Sequence, residues 1–315
     1  MKENEFLSVI NNTLKDNSFL GDDCAFIEEG LYITQDSLVE DVHFDLKTIT
    51  PRQLGYKSVA VNLSDIASCL AKPKYITISF SAPNSCTNAF IEEFYKGISE
   101  ICQNYGVKVI GGDITGGEKI FISITAIGAK ASPYKAARNC AKEGQVVFST
   151  GFHGLSAAGL CLITNGDSSD KTLINAHLKP IPNIKEAEML AKVIDSDIAL
   201  MDTSDGLGDA LYKISEASNV CLSVDYNKIK AAENLIQASK KYNKPLQDWI
   251  FWGGEDYNLV GTISKKAFDK LDKNIFTQIG EVLPLKDRNV IIKNQKDLPF
   301  IDKKVFESKV YNHFE

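Results

Sequence analysis

The sequence predicts an α+β fold from three observations. Strand-like and helix-like segments mix in both halves of the chain; they do not alternate as strict βαβ units; and short turns carrying acidic residues follow several of the strands. The 315 residues are 44% hydrophobic and 24% charged, a globular composition sufficient for one large domain or two. Neither an internal repeat nor a low-complexity segment interrupts it.

The elements follow in order. Phe6, Ile10 and Leu14 sit at helical spacing within Glu5 to Lys15. Leu31 to Thr34 reads as a strand running into Asp36. Leu54 to Leu70 reads as a helix ended before Pro73, since a proline disfavours helical geometry in the residue before it. Tyr75 to Phe80 alternates as a strand, and Phe90 to Tyr105 forms an amphipathic helix stopped by Gly106. Val107 to Ile110 is a strand delivering Gly111-Gly112-Asp113, and Ile120 to Ile127 is another. The pattern turns short and polar from Ser132 to Arg138, which suggests a boundary between 1–135 and 136–315. Beyond it, strands are expected at Gln145–Ser149, Ile198–Met201, Val220–Val224 and Tyr257–Thr262. Helices are expected at Leu155–Leu162, Ile184–Ile194 and Leu207–Ala217, with Asp209 in the first turn of the last, favourable to the helix dipole.

Charge and cysteine usage narrow the function. A net charge of −6 argues against a general nucleic-acid binder, yet leaves anionic small molecules open, because divalent ions invert local charge. The seven cysteines are odd in number and scattered, with no C-x-x-C pair, which disfavours structural zinc or a disulfide framework and suits reduced thiols in a cytoplasmic protein. Met1 to Glu5 has no apolar secretory core, and no apolar run is long enough to span a bilayer.

Six acidic motifs remain: Gly21-Asp22-Asp23, Thr34-Gln35-Asp36, Asn62-Leu63-Ser64-Asp65, Gly111-Gly112-Asp113, Asp202-Thr203-Ser204-Asp205-Gly206 and Gly253-Gly254-Glu255-Asp256. Each has an ordinary alternative. Gly-Asp-Asp alone is more often a turn or a cap, Asp205 can cap a helix, and the aromatic-flanked Gly253–Asp256 can be a hairpin tip. Asp65 stands among apolar neighbours, where a carboxylate is costly unless paired or coordinated. Taken together, glycine beside carboxylate suits close approach of oxygen ligands to hard cations, and no Walker A loop offers another way to hold phosphate. His43, His153, His177 and His313 have no metal-ligand spacing, and only His43 lies in a suggestive motif.

In this order the motifs resemble the thiamine-monophosphate kinase family: Gly21 to Ala25, Thr34 to Phe44, Lys57 to Ala67, Ile110 to Thr115, Ser156 to Leu160, His177 to Pro180, Asp202 to Leu207 and Gly253 to Tyr257. The match runs from Gly21 to Tyr311-Asn312-His313-Phe314. The resemblance implies a two-domain fold like that of the aminoimidazole-ribonucleotide synthetases, with the N-terminal domains of a homodimer pairing in a shared β-barrel. It also implies ATP-dependent phosphorylation of thiamine monophosphate to thiamine diphosphate. Positions 22, 36, 65, 113, 202 and 205, all aspartates here, are implied to hold several magnesium ions, assisted by Thr34 and Gln35. Gly112, Asp113, Arg138 and Ser204 are implied to contact ATP, and His43, Glu255 and Tyr311 the thiamine substrate. This chain departs from the family pattern at Gln35, at Leu155 and at Gly116-Gly117.

Two further classes stand beside that expectation. A magnesium-dependent phosphatase would use the same carboxylates with an activated water, and a catalytically silent nucleotide-binding protein would keep the fold without the reaction.

Overall fold

The computed structural model describes residues 9–14, 21–27 and 30–311. Two sheets organise them. The first comprises β1 (Ala25–Ile27), β2 (Leu31–Val39), β3 (Ala71–Ala82), β4 (Lys108–Gly116) and β5 (Phe121–Lys130), in spatial order β1-β2-β5-β3-β4. Only β3 and β4 run parallel, joined by helix α2 (Asn88–Tyr105); the other pairs are antiparallel. Helix α1 (Pro51–Ser68) starts cleanly, with Pro51 in its first turn and Thr50 and Gln53 forming a reciprocal capping box.

Helix α1 is buried nearly all round, which is why its sequence is so rich in small residues. On one side it meets α2 at glycines: a Cβ on Gly55 would lie 2.0 Å from the Phe94 carbonyl oxygen, and one on Gly97 1.9 Å from that of Arg52. On its other side it meets the first sheet and the second half of the chain.

The second sheet holds β6 (Val146–Thr150), β7 (Leu200–Asp202), β8 (Val220–Asp225), β9 (Leu259–Ile263), β10 (Phe276–Pro284), β11 (Val290–Lys293) and β12 (Phe300–Ile301), in order β12-β11-β8-β10-β6-β9-β7. It is antiparallel apart from β8–β11. Around it lie α3 (Leu155–Thr164), α4 (Lys171–Leu178), α5 (Ile184–Val193), α6 (Leu207–Ser218), α7 (Glu233–Lys241), α8 (Leu246–Trp252), α9 (Lys265–Phe268) and α10 (Lys303–Lys309). One buried apolar cluster extends from Leu54 and Ile78 through Ala136 to Phe148 and Phe276, so the junction near residue 135 is a change of sheet without a break in the core.

Two expectations need adjusting. The segment Gly111-Gly112-Asp113 is interior to β4 rather than a turn beyond it. The Gly253–Asp256 segment is the loop between α8 and β9, not a hairpin tip. The helix expected over Glu5 to Lys15 lies largely outside the described residues, although 9–13 is helical.

Candidate active site

The site is built on α1. Five buried polar residues lie along this helix, and three of them, together with the half-buried Asp65, reach out from it to other segments. Asn62 accepts from the Asp36 backbone N–H (3.0 Å), tying down β2. Asp65, half-buried, accepts from the Thr34 hydroxyl (2.6 Å). Ser64 donates to Asp202 Oδ2 (2.5 Å) at the end of β7, and Lys57 donates to Glu255 Oε2 (3.0 Å). The last two bonds cross from the first half of the chain to the second.

A carboxylate cluster results. Burial first, then the charges of Asp205 and Asp23, push Asp36 up to about 6. Asp65 is raised well above the usual range by burial and then by Asp36, Asp202 and Asp23. Burial, and after it the Asp23 charge, lift Asp202 to about 7. Like charges this close and this dry favour protons or cations. Asp23, which sequence reasoning left out of the ligand set, is a charged neighbour of Asp36, Asp65 and Asp202. It is held by the Arg138 guanidinium (Nε 3.1 Å, Nη2 2.5 Å), and its Oδ2 is buried without a hydrogen-bond partner. Asp22 instead accepts from the Arg138 backbone N–H (3.4 Å) at the rim. The signal for Asp23 was its adjacency: alternate residues of a bend face apart, and only one of the two can look inward. Asp205 is joined by Lys213 (3.5 Å), which also pairs with the buried Asp209 (2.9 Å). Burial pushes Asp209 up to about 6 despite that ammonium.

Across the site stands Glu255. Its carboxylate meets Lys57 Nζ (2.9 Å to Oε1) and His177 Nδ1 (3.1 Å to Oε2), and His43 is a further cationic influence. Burial would raise its pKa; the Lys57 ammonium is the largest of the attractions that outweigh it and hold the carboxyl below the ordinary value. Ser204 joins the two regions, its carbonyl accepting from the Glu255 N–H (2.7 Å) and its own N–H reaching Asp202 Oδ1 (3.4 Å).

Comparison with known proteins decides what this arrangement belongs to. Residues 21–129 match the family model "AIR synthase related protein, N-terminal domain". The thiamine-monophosphate kinase of Buchnera aphidicola subsp. Acyrthosiphon pisum is 37% identical over 311 residues, 94% of this chain and 92% of that protein. That of Bacillus subtilis is 33% identical over 94% and 93%. The chain belongs to the thiamine-monophosphate kinase family. Among solved structures, AaThiL complexed with AMPPCP and TMP superposes with a TM-score of 0.87 at 30% identity, covering 99% of this chain and 97% of that one. Hydrogenase maturation protein HypE shares the fold, with a TM-score of 0.70 at 17% identity, covering 88% and 91%.

This member of the thiamine-monophosphate kinase family does not bring every expected residue into one place. Gln35 points to the face of the first sheet opposite α1, where its amide oxygen accepts from Thr125 (2.8 Å), so only its main chain adjoins the cluster. Asp113 lies on that same open face. Ser37, Ser123, Ser79 and Asp113 stand in register across β2, β5, β3 and β4, whereas Asp36 lines up with the buried Ile124 and Ile78. Three strand spacings separate Asp113 from Ser37, roughly 14 Å. Gly112, beside it, is required by packing: a Cβ would sit 2.0 Å from the Ile78 carbonyl oxygen. Tyr311, the last described residue, is 57% exposed. The Leu155 departure has a structural counterpart. The start of α3 is capped from a distance by Asp256, which accepts from the Gly154 and Ser156 N–H groups.

Proposed function

We propose that this chain transfers the γ-phosphoryl group of ATP directly to the phosphate of thiamine monophosphate, giving thiamine diphosphate and ADP. The observation that carries the proposal is the hub on α1. One helix holds Asp65, and through Asn62 and Ser64 the Asp36 and Asp202 segments; about two turns away it holds Glu255 through Lys57. A cation-requiring region thus faces a separately organised acceptor region.

The residues fit magnesium. Asp23 Oδ2 is buried and unpartnered, and the cluster carboxyls have raised proton affinity. Among the described residues no group of three or more His, Cys, Asp or Glu side chains is placed to hold a metal ion by itself. A magnesium ion in such a site usually takes one or two carboxylates and completes its shell with waters and substrate phosphates. Asp23, Asp36, Asp65, Asp202 and Asp205 would hold it, with Asp22 at the rim and the Thr34 hydroxyl and Gln35 main chain assisting. When bound, such ions neutralise the phosphate oxygens and align donor with acceptor.

The chain supplies the rest. Arg138, whose guanidinium is held by Asp23, would pair with the ATP phosphates, and Ser204, bonded to Asp202, would contact the nucleotide. Glu255 and His43 face the thiamine moiety, with Tyr311 and the Trp252 ring closing over its cationic ring. The acceptor phosphate has a second pKa of about 6 and is already a dianion at neutral pH, so no side chain need remove a proton from it.

A homodimer completes the proposal. Every residue of β4 is exposed, Val109, Ile110 and Ile114 included, and it is an edge strand. A long apolar edge of this kind seeks a partner strand. Pairing two first sheets through it would cover that edge and carry Gly112 and Asp113 into a shared site. We further propose that the chain divides functionally at 135/136 and works in the cytoplasm with its thiols reduced; all seven cysteines are free, and no described helix is long and apolar enough to cross a membrane.

The test is incubation of purified protein with ATP, magnesium and thiamine monophosphate, followed by chromatography. Thiamine diphosphate is expected. Inorganic phosphate without it would favour a phosphatase, and neither product a silent nucleotide-binding protein.

A further inference from the structure

We infer that Lys57 is a positioning residue for the acceptor: its buried ammonium, together with His177, fixes the Glu255 carboxylate in the orientation that receives the thiamine moiety. The inference rests on the acceptor reading of Glu255 given above.

Lys57 is 1% exposed and is the one charged residue among the largest fully buried side chains of the described residues. Its ammonium lies 2.9 Å from Oε1 and 3.0 Å from Oε2 of Glu255, a residue 198 positions away. The second clasp is His177 Nδ1, 3.1 Å from Oε2 and 3.1 Å from the Ser156 hydroxyl at the start of α3.

The main chain beneath the carboxylate is just as constrained. Glu255 and Tyr257 adopt left-handed φ values of 65° and 52°, uncommon for residues with side chains. The Glu255 N–H donates to Ser204, and Gly254 passes so near that a Cβ would lie 2.6 Å from the Ser204 carbonyl oxygen. Asp256, the next residue, is turned the opposite way to cap α3. Backbone and carboxylate are therefore fixed independently, the backbone by the 202–205 segment and the carboxylate by α1 and α4. A left-handed backbone at a site, held by its surroundings, points to preorganisation rather than to simple adhesion between the two halves. Adhesion alone does not require an ammonium, because an apolar side chain of similar volume holds two buried surfaces together as well or better.

The groups facing the Glu255 carboxylate are Lys57 on α1, His177 on α4 and His43 after β2, with Asp256 and Tyr257 on its own loop. Removing Lys57 takes away the largest attraction that keeps it ionised, and burial then raises its proton affinity.

The experiment compares Lys57→Met, Lys57→Arg, Glu255→Gln and the Lys57→Met/Glu255→Gln pair. KM for thiamine monophosphate and for ATP is measured in the full-length protein from about pH 5.5 to about 8.5, with thermal melts as a control on folding. Lys57→Met should raise KM for thiamine monophosphate about 10- to 100-fold, the scale seen when a residue orienting a ligand-binding group is lost. KM for ATP should stay within about twofold, well below that change. KM for thiamine monophosphate in Lys57→Met should fall as pH rises, because only the ionised Glu255 binds. The part of that dependence in excess of what titration of the acceptor phosphate itself gives Glu255→Gln should vanish in the double variant, whose KM should equal that of Glu255→Gln alone at every pH. Lys57→Arg, which keeps the charge, should restore most of the affinity. If Lys57→Met does not fold, the double variant and Lys57→Arg carry the same comparison without an orphaned charge. An unchanged or pH-independent KM for thiamine monophosphate in Lys57→Met, or equal rises in both KM values, overturns the inference while Glu255→Gln still shows a raised KM. An unchanged KM in Glu255→Gln overturns the acceptor reading of Glu255 and the inference together.

Discussion

Replacing Asp202 with asparagine should make the metal-free protein more stable and the enzyme much slower. Asp202 is 3% exposed and accepts from Ser64 at 2.5 Å. Burial, aided by Asp23 and Asp36, raises its carboxyl from 3.8 to about 7. A carboxyl whose folded-state pKa lies above its unfolded value holds its proton more tightly in the folded chain. The stability it contributes is therefore complete below about pH 4 and is lost as pH rises through about 7. At pH 8 the shift of about three units corresponds to an upper bound of about 4 kcal/mol of strain, and at pH 5 to about 2 kcal/mol. Asparagine removes the charge at nearly constant shape. The Ser64 hydroxyl then donates to a neutral oxygen, which gives back about 1 kcal/mol. The net gain is about 3 kcal/mol at pH 8 and about 1 kcal/mol at pH 5, or roughly 6 °C and roughly 2 °C in melting temperature. Scanning calorimetry in a chelator at both pH values reads this directly. With magnesium added, wild type should gain more stability than the variant, and turnover of the variant should be lower by about 10²-fold or more, as when one group stabilising transition-state charge is removed. A variant less stable than wild type at pH 8 without metal, or one that gains as much from magnesium, would show that Asp202 is a structural acceptor and not part of a charged site.

Three further outcomes follow from the same geometry. Gly55→Ala should destabilise the fold by about 3 kcal/mol or more, since its Cβ would overlap the Phe94 carbonyl and α1 cannot retreat without moving the site; urea titration checks it. If Arg138 contacts ATP as proposed, Arg138→Met should raise KM for ATP by about 10-fold or more while leaving KM for thiamine monophosphate near wild type, because it removes the guanidinium and leaves Asp23 unpaired; steady-state kinetics with each substrate varied decides it. Ile114→Lys, on the exposed β4 edge, should convert a dimer into monomers and lower activity, as read by light scattering and assay; a fully active monomer would remove Asp113 from the site.

Much of this was legible in the sequence because local pattern and global fold agree. The helices at 54–70 and 90–105 and the strand at 75–80 are all present: the helices start earlier, at the Thr50 and Thr87 caps, the first ends at Ser68, and the strand runs from Ala71 through Pro73 to Ala82. The acidic motifs singled out Asp36, Asp65, Asp202 and Asp205, which the fold brings near one another; glycine and short polar turns mark where backbone must approach closely. What did not show was orientation. Whether Asp22 or Asp23 faces inward depends on the φ of 104° at Gly21 and on Arg138, 115 residues beyond Asp23. Gln35 and Asp113 each sit one position away from a residue on the α1 side of the sheet, and a period of two sends them to the open face. Lys57 could not be read as a partner of Glu255, because a lysine in a helix is normally solvated and its burial arises only when the second half of the chain closes over α1.

The placement of the histidines accounts for the chemistry as well as the carboxylates do. His177 is committed to Glu255 and Ser156 and, being buried beside Lys57, is pushed down to about 4, so it is neutral at physiological pH. His153 is fully buried and likewise pushed down to about 4. His43 spends Nδ1 on the Val39 N–H (3.0 Å). The buried thiols of Cys24 and Cys102 are raised by burial, not activated. A covalent mechanism would need one of these groups poised as a nucleophile beside a base. A hydrolytic one would need a group to activate water. Phosphate attacking phosphate needs neither, since the acceptor arrives ionised and the barrier lies in bringing two polyanions together. The molecule has accordingly put its charged residues into holding: carboxylates drawn together on α1 and β7 at the expense of raised proton affinity, a guanidinium fixed by Asp23, and a glutamate fixed by Lys57.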